Sequence, residues 1–325
     1  MLEVNNLSVR LQTQRGPANA IRDVSFGLQR GETVGLVGES GCGKSITAMA
    51  LMGLLPEGAL VSGSIRFDGR ELIGQPDAVM RQLRGNRIGM IFQEPMTALN
   101  PVHTIGHQVA EPMRLHRGIA REQARHETIT LLERVGIYNA AGRIDAYPHQ
   151  FSGGQRQRIT IAMALACGPD LLIADEPTTA LDVTIQGQIL DLIQDLVTER
   201  SMALLLISHD LGVIAQNVQR MMVMYGGSVI ESGPTASVFA NRAHPYTRGL
   251  FGARPRLGAP RGQRLTTIHG TVPELVDLPP GCSFADRCAW ARDFCVVTRP
   301  MATTLEPGHE ASCLRLDAVT AGDLA

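Results

Sequence analysis

The sequence is nearly without lysine: 29 of its 30 basic side chains are arginines, and the one lysine is Lys44. Basic and acidic side chains balance, 30 against 31. A protein without excess positive charge has no broad field to hold a phosphate backbone, which disfavours a general nucleic-acid binder, although a local basic face is still possible. A coding preference for arginine explains most of the shortage. Because a compact ammonium is needed where a point charge sits among phosphate oxygens, Lys44 is expected to mark such a place.

Long apolar runs are also missing from the sequence. The longest, residues 161–167 and 202–207, fall short of the ~18 to 20 residues that cross a bilayer, so membrane association must come through partner subunits. The start MLEVNNLSVR is acidic and strand-like rather than basic and then apolar, and we expect a cytoplasmic chain without a signal peptide. With 44% hydrophobic and 19% charged residues, disorder is excluded as the main state, and the length suggests roughly two domains.

Several short runs are apolar throughout, as expected of strands buried on both faces of a parallel sheet that helices cover. These runs are residues 33–37, 88–92, 171–174, 203–207 and 221–224. Residues 2–9 and 21–28 alternate instead, which predicts an antiparallel layer with one wet face. From about 94 to 166 the apolar spacing is helical, most clearly over 122–134, and predicts a helical insertion in an α/β core. After Ser232 the chain is rich in Pro, Gly and Arg, and we place a domain boundary there.

Residues 38–45 match the phosphate-binding pattern GxxxxGK[ST]. They follow the apolar run TVGLV and precede a helical run, which is the context that this pattern requires. Its glycines let backbone N–H groups surround phosphates at a helix N-terminus, while Lys44 reaches the β/γ oxygens and the Ser45 hydroxyl ligates Mg²⁺. The predicted nucleotide-binding residues here are Gly38, Glu39, Ser40, Gly41, Cys42, Gly43, Lys44, Ser45 and Ile46.

Two acidic residues follow the apolar run LLIAD at its end. Asp175 closes that run and Glu176 comes next. An acid at a strand end opposite a phosphate-binding loop is positioned to hold Mg²⁺, directly or through water. The next acid can orient or deprotonate the attacking water, so Glu176 is the candidate general base.

Further motifs resemble the ATPase subunits of ABC transporters, over residues 1–232. They are FSGGQRQR from Phe151, TTALD from Thr178, His209 after ALLLIS, and Gln93 in IFQEP. This resemblance implies an α/β P-loop NTPase, a RecA-like core with an antiparallel β subdomain and a helical subdomain inserted at about residues 94–166. It also implies ATP and Mg²⁺ as ligands and a head-to-tail pair of ATPase subunits.

The resemblance assigns roles to residues outside the phosphate-binding loop. Ser152, Gly153, Gly154 and Gln155 of one subunit would cover the γ-phosphate bound to the other, and a helix N-terminus suits an anion. Asp182 would contact the opposite subunit. His209 would contact the γ-phosphate. Gln93 would touch Mg²⁺ and the attacking water, so that it joins Ser45 and Asp175 as a predicted magnesium ligand. Where many relatives stack adenine on an aromatic residue, this chain has Leu11.

The stretches QEPMTALNPVHTIGHQ, YPHQFSGGQRQR and AHPYTRGL resemble the dipeptide and oligopeptide importer branch, which includes nickel and glutathione uptake systems. The likeness continues from about residue 236 to 313, so that we divide the chain into an ATPase domain, 1–232, and a C-terminal extension, 233–325. It implies an ATPase subunit that energises import of small peptides or a related solute, at the cytoplasmic face of the bacterial inner membrane. Its partners would be a second, homologous ATPase subunit, two membrane permeases and, indirectly, an external solute-binding protein.

Four of the six cysteines lie in this extension: Cys282, Cys288, Cys295 and Cys313. In a reducing compartment such a cluster suggests ligation of a metal more than disulfides. Their spacings, x5, x6 and x17, lack the tight C-x2–4-C knuckle of structural zinc, and four thiolates also suit an iron–sulfur cluster. Some importers of the branch are understood to hold a [4Fe–4S] cluster here. Iron–sulfur, zinc and unligated thiols stay open as alternatives, with iron–sulfur favoured.

Two other functions compete with import. A soluble ABC ATPase could act on nucleic acid or ribosomes without transport, but such proteins often carry two ATPase cores or a long coiled-coil insertion, and this chain has neither. A non-catalytic partner in an asymmetric pair would normally lack Glu176, His209 or the SGGQ motif, and all three are present. The sequence does not name the solute, since the solute contacts lie on other subunits.

Overall fold

The computed structural model describes residues 1–179, 181–253 and 267–321. Two parts of the C-terminal extension lie outside these ranges: the run RPRLGAPRGQRL and the last four residues. The irregular character of the extension was predicted partly from that run. The chain divides into two compact units. The first comprises Met1, Leu28–Thr33 and Gly74–Ile207, and the second comprises Leu2–Gly27, Val34–Ile73 and Ser208–Ala325.

The described residues contain twelve strands and thirteen α-helices. The strands are β1 (Leu2–Thr13), β2 (Gly16–Leu28), β3 (Thr33–Val37), β4 (Leu60–Phe67), β5 (Arg70–Glu71), β6 (Ile88–Ile91), β7 (Leu171–Asp175), β8 (Ala203–Ser208), β9 (Arg220–Tyr225), β10 (Ser228–Pro234), β11 (Thr303–Glu306) and β12 (His309–Ala311). The α-helices are α1 (Lys44–Met52), α2 (Asp77–Leu83), α3 (Pro95–Ala98), α4 (Ile105–Arg117), α5 (Arg121–Arg134), α6 (Ala140–Arg143), α7 (Gly153–Leu165), α8 (Val183–Arg200), α9 (Leu211–Asn217), α10 (Thr235–Ala240), α11 (Pro245–Gly252), α12 (Asp293–Val297) and α13 (Leu316–Ala321). Two short 3₁₀ helices span Pro148–Gln150 and Ala285–Arg287.

The first unit is built around three parallel strands. β6 pairs with β7 in the register Ile88↔Leu171, and β7 pairs with β8 in the register Leu171↔Ala203. All residues of β6 and β7 are buried, which is why these strands are apolar throughout in the sequence. Helices α3 to α7 occupy the predicted helical region. Among them, α5 turns Ala124, Thr128, Leu131 and Leu132 inward.

The second unit contains β3 and the β1 layer. β3 pairs in parallel with β9, and β10 pairs antiparallel with β9. In the other sheet the order is β2-β1-β4-β5, with β1 antiparallel to β4. Alternate residues of β1 are buried along its first half, as the alternation of polar and apolar residues predicts for a layer with one wet face.

Regular structure continues past Ser232 in the second unit. β10 runs to Pro234, and β12 returns from far along the chain to pair with it, Glu231↔Ala311. Both Glu231 and His309 have fully buried side chains, with Nε2 of the histidine 2.9 Å from Oε1 of the glutamate. The glutamate also accepts the backbone N–H groups of Ala243 and His244. The buried acid interrupts the apolar pattern of β10, so the sequence pattern did not reveal this pairing. The domain boundary at 232/233 stays a prediction.

No helix of residues 1–179, 181–253 and 267–321 is long and apolar enough to span a membrane.

Candidate nucleotide-binding site

The phosphate-binding loop lies in the second unit, between the end of β3 and the first residue of α1. Gly38 must be a glycine because a Cβ there would come within 2.3 Å of the Met224 carbonyl oxygen. Gly43 precedes α1 with φ +105°, and a Cβ there would lie 2.8 Å from the Ala20 oxygen. Packing against β2 and β9 therefore fixes both ends of the loop.

Lys44 lies inside this loop with only 5% of its surface exposed. Its ammonium donates to the carbonyl oxygens of Gly38 at 2.8 Å and Glu39 at 3.1 Å. The Cys42 side chain is fully buried beside it, and burial raises the pKa of that thiol. The loop thus surrounds one buried ammonium at a helix N-terminus, an arrangement suited to phosphate oxygens. Ser45 and Ile46 follow within the first turn of α1 and are half-buried.

The two predicted acids lie in the first unit. Asp175 is the last residue of β7 and is 3% exposed. Glu176 follows with φ +46°, a conformation that is strained for a residue with a Cβ. Its backbone N–H donates to the Ile207 oxygen at 3.0 Å, which fixes the main chain in that conformation.

Two side chains hold the carboxylate of Glu176. Thr179 Oγ1 donates to Glu176 Oε2 at 2.9 Å, and Gln93 Nε2 donates to the same oxygen at 3.2 Å. The structure therefore brings together two of the predicted catalytic residues, Gln93 and Glu176. Strain of this kind is concentrated at functional sites. Thr179 was quoted within the TTALD motif but given no role, and its position three residues after the acid was the available signal.

The SGGQ signature begins α7 in the first unit. Ser152 is the N-cap: its hydroxyl accepts the Gln155 N–H at 3.3 Å, while Gln155 Oε1 accepts the Ser152 N–H at 3.2 Å. This reciprocal pair is a capping box. Ser152 and Gly153 are exposed, and a Cβ at Gly153 would meet no described atom within 4 Å. The fold of its own unit does not require glycine there, which suits a surface that another molecule approaches.

The remaining two predicted residues are both exposed at the starts of helices. Asp182 is the N-cap of α8, and its Oδ1 accepts the Ile185 N–H at 3.0 Å. His209 comes directly after the last residue of β8 and belongs to the second unit. It immediately precedes Asp210, the N-cap residue of α9. Each is thus placed by the main-chain geometry of a strand or helix end. Leu11 lies in β1 and is half-buried.

The four cysteines of the C-terminal region line one cavity of about 20 Å³ in the second unit, together with His244, Phe284 and Trp290. All four cysteines are free thiols. Burial raises the pKa of Cys282 and Cys288 to about 11 and also raises that of Cys313, so that binding a metal there would release protons. Such a volume is of the order of one water molecule.

The predicted iron–sulfur cluster is not supported by this arrangement. Within residues 1–179, 181–253 and 267–321, no group of three or more His, Cys, Asp or Glu side chains is arranged to hold a metal ion. The donor set alone fits such a cluster, since four thiols line one cavity. No step of the chemistry below depends on such a group.

Two family profiles match the chain. One described as "ABC transporter" matches residues 21–179, and one described as "Oligopeptide/dipeptide transporter, C-terminal region" matches residues 230–295. A putative peptide import ATP-binding protein of Brucella ovis is 49% identical over an alignment of 333 positions, gaps included, which covers 99% of this chain and 98% of that protein. The chain belongs to the ABC transporter ATP-binding family. This confirms the resemblance found in the sequence motifs.

Other relatives of this ABC ATPase agree. The oligopeptide transport ATP-binding protein OppD of Mycobacterium tuberculosis is 47% identical over 98% of this chain, which corresponds to 52% of OppD. A dimeric ATP-binding cassette in a post-hydrolysis state with ADP and Pi has a TM-score of 0.65 and 26% identity, over 72% of this chain and 99% of its own. The cbiO1 protein of Clostridium perfringens, part of the transporter complex cbiONQ, has a TM-score of 0.62 and 27% identity, over 74% of this chain and 91% of its own. The predicted fold class is confirmed.

Sequence reasoning missed the residues that hold the phosphate-binding loop of this ABC ATPase from outside. The Tyr246 hydroxyl accepts the Glu39 N–H at 2.8 Å, and the guanidinium of Arg287 binds the Glu39 carboxylate. Tyr246 lies within the quoted AHPYTRGL stretch, and Arg287 lies within residues 281–288, GCSFADRC, of the C-terminal extension. No spacing rule connects either stretch with the loop, because the contacts join residues more than 200 positions apart.

Proposed function

We propose that this chain is the ATP-hydrolysing subunit of an importer for di- and oligopeptides or a related small solute. The observation that carries the proposal is that an ABC transporter match and an oligopeptide/dipeptide transporter match lie on the same chain. The full-length relatives named for peptide import support it. They give no support to a soluble ATPase that acts on nucleic acid or ribosomes.

The proposed chemistry is attack of water on the γ-phosphorus of ATP. The Glu176 carboxylate accepts a proton from the water, and the bond from the γ-phosphorus to the leaving ADP oxygen breaks. Gln93 donates to Glu176 and orients it and the water. Lys44 and His209 stabilise the charge on the transferring phosphoryl group. The strained φ of Glu176 supports this role, since the chain maintains that conformation against its local preference.

We propose Ser45, Gln93 and Asp175 as the residues that hold Mg²⁺. Hydroxyl, amide and carboxylate oxygens are the ligands that this hard cation prefers. The position of Asp175 as the last residue of β7, directly before Glu176, supports the assignment. The bound ion would neutralise charge that develops on the phosphate oxygens.

The proposed assembly is a head-to-tail pair of ATPase subunits, the second a homologous and different chain, beneath two membrane permeases that receive solute from an external binding protein. Ser152, Gly153, Gly154 and Gln155 would cover nucleotide on the opposite subunit, and Asp182 would contact that subunit. Exposure of Ser152, Gly153 and Asp182 supports this. A subunit of this kind works at the cytoplasmic face of the inner membrane.

The experiment that tests the function starts from a tagged chain in its natural host. We expect it to sediment with membranes and to co-purify with two hydrophobic proteins and a second ATPase. In a strain without the chain, uptake of labelled di- and tripeptides should fall, and the wild-type chain but not the Glu176→Gln variant should restore it. Uptake of a free amino acid is the control. Recovery with ribosomes or nucleic acid instead of membrane proteins would contradict the proposal.

For the four cysteines we propose a thiolate-bound group, with a [4Fe–4S] cluster as the first candidate and zinc as the second. Convergence of the four thiols on one cavity supports this. Anaerobically purified protein should contain iron and acid-labile sulfide and absorb visible light. Cys288→Ser should lose the iron, whereas Cys167→Ser, a thiol outside the cavity, should keep it. Colourless protein with neither iron nor zinc would overturn the assignment.

A further inference from the structure

The second unit contains an ion pair that joins the C-terminal region with the phosphate-binding loop. Arg287 Nη1 donates to Glu39 Oε2 at 2.8 Å, and Nη2 donates to Glu39 Oε1 at 3.3 Å. The arginine side chain is only 5% exposed. Two parallel hydrogen bonds from a guanidinium to a carboxylate fix orientation as well as distance. Because the guanidinium is nearly buried, this pair is screened far less by water than a surface pair.

The guanidinium is held on its other sides as well. Its Nε donates to the His269 carbonyl oxygen at 2.9 Å, and Nη1 lies 3.3 Å from the Tyr225 hydroxyl. The guanidinium also lies over the rings of Tyr225 and Phe284, 5.8 and 5.9 Å from their centroids. Arg287 is therefore a preformed clamp whose position does not depend on Glu39 alone.

Glu39 is held at three points. Arg287 binds its carboxylate, its backbone N–H donates to the Tyr246 hydroxyl at 2.8 Å, and its carbonyl oxygen accepts from Lys44 Nζ at 3.1 Å. The first two contacts come from the C-terminal region, and the third comes from the residue that the motif assigns to phosphate. Glu39 therefore links the clamp directly with the ammonium of Lys44.

Tyr246 and Arg287, the two C-terminal residues that contact Glu39, are sequence neighbours of residues that line the four-cysteine cavity. His244 and Pro245, which line it, immediately precede Tyr246, and Cys288 immediately follows Arg287. Phe284 lines the cavity too, and its ring packs 5.4 Å from that of Tyr246 and 5.2 Å from that of Tyr225, between centroids. The cysteines are remote from the loop in sequence, but Cys288 of the cavity is the direct neighbour of Arg287, which binds Glu39 of the loop.

We infer that Arg287 and Tyr246 are positioning residues of the nucleotide site, which set the conformation of the phosphate-binding loop through Glu39 and make nucleotide affinity depend on the C-terminal region. The inference rests on the proposed binding of ATP at residues 38–46. A contact that merely anchored the C-terminal region would affect thermal stability and leave nucleotide binding unchanged, so the two roles can be separated.

The test compares Arg287→Ala with Arg299→Ala in the full chain. Arg299 is another arginine of the C-terminal region that pairs with an acid of the second unit, but its partner is Asp23 rather than a residue of the loop. We would measure the dissociation constant for MgATP, KM, kcat and the unfolding midpoint. Arg287→Ala should weaken binding and raise KM by about tenfold with a smaller change in kcat, because a charged hydrogen-bonded partner of the loop is lost. Arg299→Ala should leave binding and KM unchanged.

Milder variants keep the test valid should Arg287→Ala fold poorly. Arg287→Lys should restore part of the affinity, and Tyr246→Phe, which removes only the hydroxyl, should weaken binding by about threefold. In Glu39→Gln, adding Arg287→Lys should cost little more affinity, since the two act through one pair. Unchanged MgATP affinity in Arg287→Lys, Tyr246→Phe and Glu39→Gln, with or without a lower midpoint, would overturn the inference. Failure of the wild-type chain to bind MgATP would overturn the proposed function instead.

Discussion

The phosphate-binding loop and the catalytic acid are held in different ways. The loop is packed closely, its ammonium is 5% exposed, and its second residue is held by side chains 207 and 248 positions away. Glu176 is half-buried, strained at φ +46°, and held by Thr179 three residues away and by the exposed Gln93. The loop is thus a preformed binding element, whereas the acid is a locally strained group in a more open setting. Binding and hydrolysis should therefore be separable by mutation.

The largest separation is expected from Glu176→Gln. The amide keeps the size of the side chain but does not accept a proton from water, so turnover should fall by about 10² to 10⁴, the usual contribution of a general base. The dissociation constant for MgATP should stay close to the wild-type value, because the loop is untouched. Single-turnover hydrolysis and equilibrium binding measure the two effects. Substantial remaining hydrolysis would remove Glu176 from the role of base.

The second test changes the loop instead of the acid. Lys44→Arg should damage both MgATP binding and hydrolysis although the positive charge is kept. The planar guanidinium is larger than the ammonium and does not fit the same position on the Gly38 and Glu39 carbonyl oxygens. We expect hydrolysis to fall by about tenfold or more and binding to weaken with it. Arg299→Lys provides the matched control for exchange of the two cations. A fully active Lys44→Arg protein would refute the special place of the one lysine.

A smaller effect is expected from Thr179→Val, which removes the hydroxyl that donates to Glu176. The carboxylate would keep Gln93 as a donor, so kcat should fall by about threefold to tenfold with KM nearly unchanged. Thr304→Val is the control. Thr304 Oγ1 also lies near a glutamate, Glu310, but Thr304 belongs to β11 and not to the segment that contains Glu176. An equal loss in both variants, or a rise in KM alone, would mean that Thr179 does not orient the acid.

The strands and motifs that could be predicted share one property: their signal is local. Strands buried on both faces leave uninterrupted apolar runs, so β3 was predicted with its observed bounds and β7 within one residue. The phosphate-binding loop is a fixed spacing of glycines before a helix, and Asp175 lies at the end of β7, as the apolar run before it predicts. Family membership followed from motifs of the same local kind.

The features that could not be predicted depend on pairings between distant parts of the chain. The contact of Arg287 with Glu39 has no counterpart in local spacing. β12 is three residues long, and its place beside β10 depends on a buried acid and a histidine rather than on apolar periodicity. The positive φ of Glu176 follows from a backbone hydrogen bond with Ile207 and is not indicated by a glycine.

The buried pair of Glu231 and His309 bears on how such a protein could gain or lose its C-terminal region. An acid buried at this depth is tolerated because the histidine of the returning strand and the backbone N–H groups of Ala243 and His244 surround it. Cutting the chain before β12 would leave that acid with the two backbone donors alone, so a shortened ATPase should be less stable than the full chain. Exchange of C-terminal regions between related subunits should cost least stability when both positions are transferred together.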